Sequence, residues 1–128
     1  MPGVSTGKIM QIAITVRDLD RSVAFYRDLL GMASLFNAGT MAFLQCGEVR
    51  LLLGLPEAGK PISNGGTILY LSSDDLEGDY ARLADAAVSG VQPPHMIAKM
   101  PDHDLWLAIV SDPDGNPVGL MQEIARSN

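Results

Sequence analysis

The side chains able to do acid–base or metal chemistry are few, and several lie close together in the chain. The 2 histidines are His95 and His103, with Asp102 and Asp104 flanking the second. Imidazole titrates near neutrality and ligates metals. His95 and His103 are therefore the candidates for an acid–base pair or for part of an unusual metal site. The plainer reading, a partly exposed hairpin with satisfied polar side chains, is preferred, because spacing alone does not make a ligand set. Of the two, His103 is the better candidate, since it leads into an apolar strand that anchors it. Asp112 and Asp114 lie in Asp112-Pro113-Asp114-Gly115, where a turn role precedes catalysis. Cys46 is the 1 cysteine. It has no sequence neighbour to stabilise a thiolate, and it rules out an internal disulfide or a thiolate cluster.

Other residues suit binding better than bond-making. Trp106, the 1 tryptophan, can stack against an aromatic or cationic ligand or pack in a core. The alternation of its strand leaves both readings open. Tyr70 is a firmer pocket residue: it shares a strand face with Ile68 and Ser72, and its hydroxyl ends an apolar wall with a polar group. Met32, Met41, Met96 and Met121 can line an adaptable pocket or fill a core.

The elements that position these residues read as one pattern used twice: strand, helix, three strands. Ile9 to Val16 alternates with period two. Met10, Ile12, Ile14 and Val16 fall on one face, and Ile9, Gln11, Ala13 and Thr15 on the other. Asp18 is placed to cap a helix carrying the stripe Leu19, Val23, Tyr26 and Leu30, and Gly31 to stop it. Three strands follow near 32–37, 40–46 and 48–54. Residues 56–66, rich in proline and glycine, form a linker. Then Thr67 to Ser73 is the matching strand, Asp75 the matching cap, and Leu76, Tyr80, Leu83 and Ala87 the matching stripe. Gly90 is the matching stop, which makes the second helix about two residues longer by the cap-to-glycine count. Strands near 94–99, 104–111 and 117–123 complete the second unit. The expected fold class is α+β: two βαβββ modules, about 8–55 and 67–123 within one domain 1–128. Their curled mixed sheets surround a concave cavity with the helices outside. The mixed faces of the first strands should then line a pocket through Gln11, Thr15, Tyr70 and Ser72, with Trp106 and Met121 as further ligand-binding candidates.

Composition limits the partners. A chain of 128 residues is one domain's worth of protein. A net charge of −6 argues against binding nucleic acid or an anionic membrane and favours a neutral or cationic ligand. The N-terminal stretch lacks an apolar core of signal-peptide length, and no apolar run approaches the ~20 residues of a membrane span. A cytoplasmic location is expected.

The segments Gln11 to Leu19, Arg21-Ser22-Val23-Ala24-Phe25-Tyr26 and Leu29-Leu30-Gly31 resemble the opening of a vicinal-oxygen-chelate module. Asp112 to Leu120 resembles its closing hairpin. That superfamily includes glyoxalase I, bleomycin-resistance proteins and extradiol dioxygenases. The resemblance runs from about Lys8 to Gln122. It implies metal ligands at four positions, here occupied by Gln11, Leu51, Ile68 and Gly119, with Arg50 and Leu52 no better as ligands if the second placement is one residue off. One neutral amide oxygen cannot hold a divalent ion. The expectation is thus no metal and no cofactor, in a small-molecule-binding protein that pairs as a homodimer. The alternative is a superfamily enzyme, a glyoxalase-like lyase, isomerase or dioxygenase, with a non-standard site and a divalent metal only in that case.

Overall fold

The computed structural model describes Val4 and residues 7–62 and 64–126. The chain divides into two compact units, Met1–Ser63 and Asn64–Asn128, so the division falls inside the expected linker. Each unit is a four-stranded mixed sheet with one helical segment.

In the first unit the strands are β1 (Gln11–Thr15), β2 (Ala33–Ala38), β3 (Met41–Cys46) and β4 (Val49–Gly54), in the order β1-β4-β3-β2. β1 runs parallel to β4, and the other neighbours are antiparallel. The helix α1 spans Leu19–Val23 and continues as a π-helix over Ala24–Leu29. Asp18 caps it, its carboxylate accepting from the Arg21 N–H at 3.1 Å. Gly31, at φ 80°, stops it in the left-handed conformation expected there. The wider π turns change which side chains face inward: Ser22, Val23, Phe25 and Tyr26 are buried, whereas Leu19 and Leu30 are half-buried. Parity holds on β1. Ile14 and Val16 are buried with Leu44, Leu51 and Leu53, while Gln11 and Ala13 are exposed on the other face.

The second unit repeats this topology. Its strands β5 (Leu69–Ser72), β6 (Gly90–Lys99), β7 (His103–Ser111) and β8 (Pro117–Ala125) are ordered β5-β8-β7-β6, with β5 parallel to β8. The helix α2 is Leu76–Asp85, capped by Asp75. Its stop differs from expectation. Ala87, not Gly90, takes the left-handed conformation, at φ 64°, and the Val88 N–H returns to the Leu83 carbonyl at 3.0 Å. The 10-residue α2 is therefore no longer than the first helix, with its 5 α and 6 π residues. Gly90 begins β6 instead, for a packing reason: a Cβ there would sit 2.1 Å from the Tyr80 hydroxyl oxygen. Among the described residues no helix is long and apolar enough to cross a membrane.

Candidate functional site

Strand register decides which side chains share a face, because partners across a ladder point the same way. In the second unit Tyr70 pairs with Gly119 and Ser72 with Met121, while Ile109 pairs with Gly119 and Leu107 with Met121. These residues lie on the face away from Leu69, Leu71, Val118 and Leu120. A groove of about 690 Å³ opens on the second unit, and Tyr70, Ser72, Asp74, Leu105, Met121 and Glu123 are among the residues lining it. The structure thus brings Tyr70, Ser72 and Met121 together.

Trp106 is not with them. It pairs with Gln122 and Met96, one step out of phase with Leu105 and Leu107, so it lies on the opposite sheet face. Gln122, its partner, is engaged at the start of α2. Its carbonyl oxygen accepts from the Leu76 N–H at 2.9 Å, and its amide donates to the Asp74 carbonyl at 2.8 Å. Gln11 and Thr15 belong to the first unit and lie on the exposed side of β1.

Tyr70 lies against the backbone of β8. A Cβ built on Gly119 would be 2.3 Å from Tyr70 Cδ1 and 2.6 Å from Cε1. The ring takes the space that any side chain at 119 would use, and 48% of the residue remains exposed. At the groove's edge Glu123 approaches His103, with Oε1 and Nε2 3.8 Å apart. The other ring nitrogen of His103 donates to Asp102 Oδ1 at 2.7 Å. That hydrogen bond, with the attraction of the same ring, holds the Asp102 carboxyl below the usual carboxylate range. The Asp102 side chain is 88% exposed, so the pair sits in water rather than in a low-dielectric pocket. His95 pairs with Leu107 and bonds through Nδ1 to the Pro93 carbonyl at 2.8 Å. Neither histidine lines the groove.

The first unit holds a residue that the sequence reading set aside. Gln11 pairs with Arg50 and Ile12 with Leu51. Leu51 is therefore on the helix side, 3% exposed, and cannot be the position facing outward. By the internal repeat, Gly119 pairs with Tyr70 as Leu52 pairs with Ala13, so Leu52 is the counterpart of Gly119. Arg50 shares the open face with Gln11, and its Nε–H donates to Gln11 Oε1 at 2.7 Å. Its guanidinium lies 5.8 Å from the Phe43 ring centroid, and Phe43 stacks on Phe36 at 4.6 Å. Arg50 was discoverable from sequence: in Val49-Arg50-Leu51-Leu52-Leu53 it is the one polar marker of the outward face.

The residues present do not fit the family's metal. In the first unit the Gln11 oxygen already accepts from a cation, and Leu52 has no donor atom. In the second, Ile68 has none, and the ring of Tyr70 fills the space beside Gly119. Among the described residues no group of three His, Cys, Asp or Glu side chains is arranged to hold an ion.

Two matched βαβββ units define the scaffold of the vicinal-oxygen-chelate proteins. The chain matches the profile of the Glyoxalase/Bleomycin resistance protein/Dioxygenase superfamily over residues 8–120 and belongs to that superfamily. No curated protein sequence matches it. Among solved structures, it is similar to a lactoylglutathione lyase from Agrobacterium tumefaciens, at 24% identity and TM-score 0.73, covering 91% of this chain and 94% of that one. It is also similar to a superfamily member from Sphaerobacter thermophilus, at 23% identity and TM-score 0.75, covering 92% and 98%. A virulence protein from Salmonella typhimurium matches at 20% identity and TM-score 0.76, covering 94% and 100%. These likenesses establish the fold; at such identities they carry no activity across.

Proposed function

We propose that this chain binds a small amphipathic molecule in the groove of its second unit without the superfamily's usual metal. The observation that carries the reading is Tyr70. Its ring occupies the space beside Gly119, a position where the family keeps a carboxylate, and it lines a groove with Ser72 and Met121. An aromatic wall, a flexible thioether and a few polar atoms are the ordinary make-up of a ligand site. Asp74 and Glu123 at the rim favour a neutral or cationic ligand.

A second reading, an acid–base enzyme of the lyase, isomerase or dioxygenase kind, draws on His103 beside Glu123. The exposure of Asp102 weighs against it, since water screens the charge that would tune the imidazole. The homodimer expectation draws on β2 and β6, edge strands whose exposed apolar residues include Leu35, Phe36, Val91 and Ile97. Sedimentation at micromolar concentration tests it, and a monomer there rejects it.

The test of binding uses tryptamine and its neutral relative 3-methylindole as probes, with chelator present throughout. Amide and methyl NMR shifts should move at Tyr70, Ser72 and Met121. No movement at these residues with chelator present, or one equivalent of divalent metal per purified chain, would overturn the proposal.

A further inference from the structure

We infer that the open face of the first unit carries a second, anion-specific site built on Arg50, which takes a planar aromatic carboxylate. This site does not depend on the reading of the groove in the second unit.

Among the described residues Arg50 is a cation without a counter-charge. It has no carboxylate partner; its hydrogen-bond partner is the neutral Gln11. Glu48 lines the same small depression, of about 140 Å³, but so does Lys8, and neither ion-pairs with Arg50. A half-buried guanidinium normally finds a carboxylate or phosphate, because its fork of N–H groups matches two oxygens at once. Here one N–H, the Nε, is used on Gln11, which holds the group in place. The terminal nitrogens remain for a ligand.

The second half of the site is apolar and flat. Arg50, Phe43 and Phe36 lie on β4, β3 and β2 in turn, on one face. Arg50 pairs with Gln45, so Phe43, opposite Leu52, is its diagonal neighbour at about 7–8 Å between backbones, and Phe36 lies one strand further out. Phe36 is 54% exposed although it is a large aromatic, and it is already stacked on Phe43. A one- or two-ring ligand spans that distance, with its carboxylate on Arg50 and its ring on the phenyl pair. The net charge of −6 does not oppose this: exposed charges beyond about 8 Å are screened at physiological salt, and the groups around Arg50 decide. The Gln11 position, which the family uses for a metal ligand, here supports a built-in positive charge.

The experiment titrates 2-naphthoate and 2-naphthamide into the full chain with chelator present, following the Arg50 Nε–H resonance and the Phe36 and Phe43 ring signals. Naphthoate should bind at millimolar concentration or better, move all three sets of signals, and weaken as salt is raised. The isosteric amide should bind roughly tenfold to hundredfold less tightly, the value of a charge-assisted pair. Arg50→Gln should abolish the preference for the acid, and Arg50→Lys should restore only part of it, having a point charge without the fork. Phe43→Leu, which removes the stacking ring but keeps the guanidinium, should weaken acid and amide alike. Equal affinity for acid and amide in the unaltered protein overturns the proposal. So does naphthoate binding that leaves the Arg50 signal unmoved, or no binding of naphthoate at millimolar concentration.

Discussion

Gly119→Ala should destabilise this protein, and the same substitution should stabilise it once Tyr70 is removed. A Cβ at 119 would come within 2.3 Å of Tyr70 Cδ1 and 3.2 Å of Cγ, so the ring must leave. Overpacking of this kind costs about 1–3 kcal/mol. Displacement of the ring sets an upper limit: roughly half of a ~200 Å² side chain is covered, worth about 2.5 kcal/mol at ~25 cal/mol/Å². Against this, replacing glycine restricts the unfolded chain and returns about 0.4–1 kcal/mol where φ is ordinary. Gly119 is not among the residues with positive φ. The single substitution should therefore cost about 1–2 kcal/mol, or roughly 4–8 °C in Tm for a chain of this size. In a Tyr70→Ala background it should gain about 0.4–1 kcal/mol. The assay is urea unfolding of the four proteins of the cycle, read through Trp106, which lies in the same unit. The quantity of interest is the reversal of sign, a coupling near 2 kcal/mol. If Gly119→Ala stabilises the unaltered protein, the ring does not fill that space, and the argument that Tyr70 replaces a metal-ligand side chain fails with it.

Two further perturbations test the supports of the second unit. Asp112 is 4% exposed and accepts from the Asn116 N–H at 2.8 Å, from Asn116 Nδ2 at 2.8 Å and from the Asp114 N–H at 2.9 Å. Asp112→Ala strands these donors and should cost about 2–4 kcal/mol in urea unfolding; a loss below about 0.5 kcal/mol would mean that the turn holds itself. Asp79 accepts from Ser73 Oγ at 2.6 Å and from Arg82, and these bonds lower its carboxyl pKa despite some burial. A carboxyl with a folded pKa below its unfolded one stabilises the fold above the unfolded value, and that contribution is lost as pH falls through the folded one. Urea midpoints should thus decline below about pH 4, and Asp79→Asn should flatten part of that decline. An unchanged pH profile in the variant would refute the assignment.

The fold was legible because local signals and hydrophobic periodicity agreed. Asp18 and Asp75 cap the helices they were expected to cap, and Gly31 stops the first. The mismatches occur where one residue type serves two purposes. Gly90 looked like a helix stop by spacing with Gly31, but it is small because Tyr80 presses on it; glycine marks close approach as well as positive φ. Ala87 took the left-handed turn without any sequence flag. The π turns of the first helix were invisible for a similar reason. Stripe spacing of three and four residues fits either helix, and the pattern does not report that Leu30 N–H reaches back to the Phe25 carbonyl at 3.1 Å.

The site was less legible, and the reason is parity. The resemblance placed a ligand position at Leu51, yet pairing with Ile12 turns it inward and brings Arg50 and Leu52 to the open face. A one-residue slip exchanges the two faces of a strand. Here it exchanged a leucine for the arginine beside Gln11. The same effect separates Trp106 from Tyr70, since β7 carries apolar residues on both faces and its leading polar residues, His103 and Asp104, fall one on each. Once the register is known, the Gln11 position changes meaning. A lone amide there looks like the remnant of a ligand set, but an amide oxygen held 2.7 Å from a guanidinium nitrogen is an acceptor that orients a cation. A divalent ion placed beside that oxygen would meet a fixed positive charge within a few ångströms, whereas an anion would meet the same charge as an attraction. On the proposed reading, Arg50 gives this face a preference for anions.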